Sequence, residues 1–228
     1  MIIQTLGERK KEIRLLMKYA VPEKNLEKAK SFVNMYENDA IALNLFHSFY
    51  SFLPDAHDDF IEELHLLIRK QGIFLICATT MYADYIYLVT NERAEFLGKL
   101  ADGIWDKEVL KFFRIVDQDT FIDKYGDLSN TSIYTPAGAN KKLCPVCSAA
   151  SGEHHTYGCP LEICPWCDGQ LKKCNCRFTL MNKDRLEKES HIDAFQKLLI
   201  EKGRIPFDAA RDIPEYPVSA DSLISDES

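Results

Sequence analysis

The chain has 228 residues, 26.2 kDa, 46% hydrophobic and 28% charged residues, with a formal net charge of −7 and a pI near 5.4. Those fractions are ordinary for a globular protein and exclude wholesale disorder, a collagen-like repeat and a small disulfide scaffold. The negative balance argues against broad binding to nucleic acid or anionic membranes, and no apolar run approaches the roughly 18 residues that a membrane helix needs.

Residues 1–70 read as helices. A basic amphipathic stretch ends at Leu15, Leu16 and Tyr19; it carries charge where a signal peptide needs its apolar segment, so a cytoplasmic protein is expected. Pro22 suits a first helical turn, and a second helix is expected from Glu23 to about Asn38. A third covers Ile41 to Phe52, with Leu43, Leu45, Phe46, Phe49 and Tyr50. Asp55 then reads as the N-cap of a fourth helix running to about Lys70, with Gly72 placed to stop it. On that helix Asp58, Glu62 and His65 share a face, which would be a solvated acidic stripe or the seat of a metal-dependent hydrolase.

The period changes after Gly72. Ile73–Thr79 and Tyr85–Thr90 read as an antiparallel hairpin, apolar on both faces and therefore covered on both sides. Cys77 lies in the first run and is expected to act as a small buried hydrophobe. Further helices are expected at about 92–100, 106–114 and 119–125. The fold class is α+β: a mainly helical N-terminal domain with one hairpin over 1–126, a linker over 127–140, a zinc-binding module over 141–178, and a C-terminal helix with a Pro-rich tail over 179–228. Asn182 is the expected cap of that last helix, about 183–202, and Gly203 its end.

Seven of the eight cysteines fall between Cys144 and Cys176. In a reducing compartment such a cluster reads as metal-binding before it reads as disulfides. Cys144-Pro-Val-Cys147 and Cys164-Pro-Trp-Cys167 stand 16 residues apart, the C-x2-C…C-x2-C spacing of structural zinc. Two intervening residues let a tight turn aim both sulfurs at one ion, and the proline stiffens that turn. The pattern resembles the small zinc-ribbon and treble-clef modules over residues 144–176 alone. Such modules commonly carry Gly directly after the second Cys, where this chain has Ser148 and Asp168.

His154, His155, Cys159, Cys174 and Cys176 are further candidate ligands, enough for two zinc ions. Two partitions are open. In the sequential one, Cys144, Cys147, a histidine and Cys159 hold one ion, and Cys164, Cys167, Cys174 and Cys176 the other. In the interleaved one, the two Cys-Pro-x-Cys turns share an ion and the remaining ligands share the second. His155 is favoured over His154 because it gives a His-x3-Cys step. Lys141, Lys142, Lys172, Lys173 and Arg177 surround the cluster; they either offset thiolate charge or form a basic face for nucleic acid. Trp166 is open between stacking on a partner and anchoring the module. Dinucleotide, phosphate-loop and hydrolase-elbow motifs are absent from the sequence. The expected function is a non-enzymatic zinc-binding interaction protein with a protein partner, and the alternatives are a nucleic-acid-associated zinc protein and a hydrolase on the 55–70 helix.

Overall fold

A computed structural model describes residues 5–55, 57–136 and 142–212. The chain divides into two compact units on either side of residues 140/141. Lys141, residues 137–140 and the tail from 213 onward, with Pro214 and Pro217, lie outside the described residues.

The first unit is α+β. Its described residues form helices α1 (Leu6–Ala20), α2 (Leu26–Met35), α3 (Ala40–Phe52), α4 (Lys107–Phe112) and α5 (Gln118–Tyr125), and strands β1 (Ile61–Lys70), β2 (Ile73–Thr80), β3 (Asp84–Val89), β4 (Ala94–Lys99) and β5 (Ser132–Ile133). The strands make one antiparallel sheet in the order β4-β3-β2-β1-β5. Side chains alternate across it, so the unit has two apolar layers. Leu75, Cys77 and Ile86 pack with Leu110 of α4, Phe113 just after it, and Phe121 of α5. On the opposite face Tyr85 meets Phe49 of α3, and Phe74 meets Tyr134. The hairpin is therefore covered on both sides, as its apolar runs require. Cys77 is fully buried, and burial pushes its thiol well above the ordinary range, so it is packed and unreactive.

The sheet is larger than the single hairpin expected, and two expected helices are strands. Residues 61–70 pair with β2 in the register Leu64↔Ala78, His65↔Cys77 and Lys70↔Ile73. Gly72 does not stop a helix. With Gln71 (φ 52°) it forms the two-residue turn between β1 and β2, both residues left-handed (Gly72 φ 73°), which is the type I′ geometry that matches strand twist. Residues 94–99 likewise pair with β3, Leu88 opposite Glu95 and Val89 opposite Ala94. In both stretches the helical charge spacing is local and weak, and the sheet ladder outweighs it.

The turns after β2 and β3 are built alike. Thr80 and Thr90 each donate their N–H to the carbonyl three residues on, Ala83 (3.1 Å) and Arg93 (2.8 Å). Each hydroxyl accepts the two following free N–H groups, Tyr82 and Ala83 in one turn, Glu92 and Arg93 in the other, all at 3.2 Å. Thr80, the last residue of β2, and Thr90, just after β3, thus each cap the turn that follows. The segment expected as a linker carries β5, whose Ile133 pairs with His65, and the buried Tyr134, whose hydroxyl donates to Asp39 (3.0 Å).

The second unit has two helices among its described residues, α6 (Cys176–Met181) and α7 (Glu189–Lys202). The last helix is thus shorter than expected. Asn182 does not cap it; it ends α6 in the left-handed conformation (φ 48°, ψ 50°), a role asparagine fills because its short side chain tolerates that region. Gly203 ends α7.

Candidate metal centre

Two knuckles with 16 residues between them position the cysteine pairs. In the first, Cys144 donates its N–H to Ala149 O (2.7 Å) and Ser148 donates to Cys144 O (2.9 Å); in the second, Cys164 donates to Gly169 O (2.7 Å) and Asp168 to Cys164 O (2.9 Å). Isolated bridges Leu143↔Ala150 and Ile163↔Gln170 close the two turns at the same place. Ser148 (φ 58°) and Asp168 (φ 59°) are both left-handed. Glycine would suit this position best, because the turn reverses there through a conformation that costs a side chain about 1 kcal/mol.

The other ligands arrive differently. His155 and Cys159 flank a turn in which Cys159 donates its N–H to Thr156 O (3.0 Å). Cys174 sits on a turn that donates to Gln170 O (3.0 Å), and Cys176 opens α6. The result is two groups, Cys144–Cys147–His155–Cys159 and Cys164–Cys167–Cys174–Cys176. Within each, one ligand atom per residue lies within 4.8 Å of all the others. The sequential partition is the one formed, and the interleaved one, with both knuckles on one ion, is not. The physical reason is loop length: each knuckle closes with the nearest following ligand pair, which orders less chain. His155 joins the first group and the half-buried His154 does not.

The spacing fits metal rather than disulfides. Cys144 Sγ and Cys159 Sγ are 3.9 Å apart, and Cys147 Sγ is 3.3 Å from His155 Nδ1. A disulfide needs about 2.05 Å. A tetrahedral ion with bonds of about 2.3 Å puts its ligands about 3.8 Å apart. The second ring nitrogen of His155, Nε2, is buried without a hydrogen-bond partner. Three sulfurs with a nitrogen, and four sulfurs, are donor sets of soft and borderline metals.

Proton sharing within each group shows how strongly the site favours charge. Cys147 is held far below the ordinary thiol range by hydrogen bonds from Cys144 and Cys159, and Cys159 is pushed up in return by Cys144 and Cys147. Burial works against a charge on His155, but Cys144 and Cys147 outweigh it and bring the ring to about 9. In the second group, the N–H of Gly169 and then Cys176 hold Cys167 low, while Cys167 pushes Cys176 up to about 12. The second cysteine of each knuckle is therefore held toward the thiolate.

Residues outside the cysteine window complete the first group. The backbone of Phe207 accepts from Gly152 and donates to Glu153, both at 2.8 Å, and its ring lies edge-on to His155, centroids 5.2 Å apart. Arg204 donates through Nε to the buried Glu162 (2.7 Å) and through a terminal nitrogen to the carbonyl of His155 (2.6 Å). Sequence reading missed Phe207, Arg204 and Glu162; the one signal available was an apolar Phe207 in a stretch otherwise read as tail. Trp166 packs against Phe195 of α7, the rings tilted by 31° with centroids 6.0 Å apart, which makes it an anchor within its own unit. Lys172 and Lys173 are exposed.

The acidic stripe expected on a 55–70 helix does not exist. Asp58 is exposed in the irregular segment before β1, Glu62 pairs with Lys28 (2.5 Å), and His65 lies on β1 between Glu63 (3.1 Å) and Thr131 (3.0 Å). Successive strand residues point to opposite faces, so the helical spacing that joined the three has no meaning there.

No family model, curated protein or solved structure matches the chain. No helix among the described residues is long and apolar enough to cross a membrane.

Proposed function

We propose that the chain is a non-enzymatic interaction protein of the cytoplasm, whose second unit is folded around two structural zinc ions. Cys144, Cys147, His155 and Cys159 hold one, and Cys164, Cys167, Cys174 and Cys176 the other. The observation that carries this reading is the grouping of eight ligands into two complete sets of four. A catalytic zinc keeps one position for water or substrate, whereas four protein ligands leave none. Zinc is favoured because it accepts both sulfur-rich sets in a tetrahedron and needs no redox partner. Eight free thiols suit a reducing compartment.

A protein partner is favoured over nucleic acid on two counts. The net charge of −7 opposes docking on a polyanion. Trp166, the aromatic group on which a base would stack, is taken up by Phe195.

The test is metal content of the full chain by native mass spectrometry and elemental analysis. Two zinc ions per chain, unchanged in Asp58→Ala and His65→Ala and each lost in a ligand variant of its own site, is the expected result. One ion, or none, overturns the reading.

A further inference from the structure

The two ligand groups differ in what can reach them. Cys144, Cys147, His155 and Cys159 are all buried, and residues 204–212 close over them through Phe207. In the second group Cys164 alone is buried; Cys167 is exposed, and Cys174 and Cys176 are half-buried. Each group also has its own apolar core. The first gathers Ala149, Leu161 and Phe207. The second gathers Leu171, Phe195 and Leu199, with Trp166 packed against them.

Exchange at a four-coordinate ion passes through a fifth ligand, so the entering donor must touch the metal before a protein ligand leaves. A buried shell denies that approach and an exposed sulfur offers it. Resting on the two-ion reading above, we propose that the second site is an exchange site, which gives up its ion to small carboxylate- or thiol-bearing chelators while the first site keeps its own. In the step, a donor atom of the chelator bonds to the ion, the bond to Cys167 Sγ breaks, and the freed thiolate takes a proton from water. Cys174, Cys176 and Cys164 follow, and the ion departs on the chelator with no change of oxidation state. Loss of that ion unties α7, because Phe195 and Leu199 rest on Cys164, Leu171 and Trp166. The first core, with its own ion and Phe207, persists.

The chain has two tryptophans, Trp105 and Trp166, and Trp105 is exposed. The full-length Trp105→Phe protein therefore reports on the second site through Trp166 fluorescence. EDTA is added, and native mass spectrometry, Trp166 emission and iodoacetamide labelling are followed together. The expected result is a one-ion species that accumulates, a Trp166 shift that tracks loss of the first ion to leave, and labelling of Cys167, Cys174 and Cys176 with Cys144, Cys147 and Cys159 protected. Loss of both ions in one step, or labelling of Cys144, Cys147 and Cys159 in the one-ion species, overturns the proposal and leaves the two-ion reading standing. A protein that carries fewer than two ions before EDTA is added takes both down.

Discussion

Arg204 and Glu162 form an ion pair at 2.7 Å in which the carboxylate is 1% exposed, and the same guanidinium holds the carbonyl of His155. Glu162 lies between Cys159 of one ligand group and Cys164 of the other; its N–H donates to Cys159 O (3.1 Å) and its carbonyl accepts from Leu171 (2.7 Å). The pair therefore fixes the short stretch that separates the two groups. Arg204→Met leaves a buried carboxylate without its partner and is expected to cost the metal-loaded second unit about 3 kcal/mol. Arg204→Lys keeps the charge but loses the planar reach to two acceptors, and should fall between. Thermal unfolding of the loaded proteins reads this, and equal stability of Arg204→Met and the parent would contradict it.

The histidine assignment has a direct test. His155→Ala should lose one ion of two and His154→Ala should lose none, as counted by native mass spectrometry. Cys159→Ser should match His155→Ala, because both sit in the same group. Retention of both ions in His155→Ala would move the fourth ligand elsewhere.

Acidity should act with opposite signs on the free and loaded forms. In the metal-free chain the His155 value is raised to about 9, so its contribution to stability is full below the ordinary value of about 6.5 and is lost as pH rises through about 9. Metal requires the neutral ring and deprotonated thiols, so loading at pH 7 releases protons, and affinity should climb as pH rises toward 9. Calorimetry of zinc binding in buffers of different ionisation enthalpy measures the protons released; zero release would refute the protonated ring.

Tyr134 donates its hydroxyl to both oxygens of the buried Asp39, at 3.0 and 3.1 Å, and Asp39 also caps α3 through the N–H of Ala42 (2.7 Å). Tyr134→Phe should destabilise the first unit by about 1.5–3 kcal/mol, the range for a hydrogen bond to a charged group. Denaturant unfolding followed by far-ultraviolet circular dichroism is the measurement.

Gln71 holds a left-handed conformation at φ 52° in the turn joining β1 to β2. Asparagine enters that region more easily, so Gln71→Asn should stabilise the first unit by about 0.5–1 kcal/mol. A lower melting temperature in this variant would argue against the turn assignment.

That same residue explains where sequence reading went astray. An Asn-Gly or Asp-Gly pair between two apolar runs would have announced a hairpin, whereas Gln71-Gly72 reads as the end of a helix. The charges around Glu62, Glu63 and His65 then supplied a helical pattern, although their neighbours Leu64, Leu67 and Ile68 serve a strand equally well. The members of the two cysteine groups were legible because sulfur chemistry and short spacings are local. Their partition was not, since the spacings allow both schemes and chain closure decides between them. Phe207 and Arg204 were invisible because they act on His155 from about fifty residues away, a distance at which sequence carries no contact information.

The roof over the first ligand group is made by a part of the chain that is synthesised after all four members of that group. A ribosome delivers Cys144, Cys147, His155 and Cys159 well before Arg204 and Phe207. The nascent protein thus passes through a stage in which the first ligand group is complete but still uncovered, and residues 204–212 seal it only afterwards.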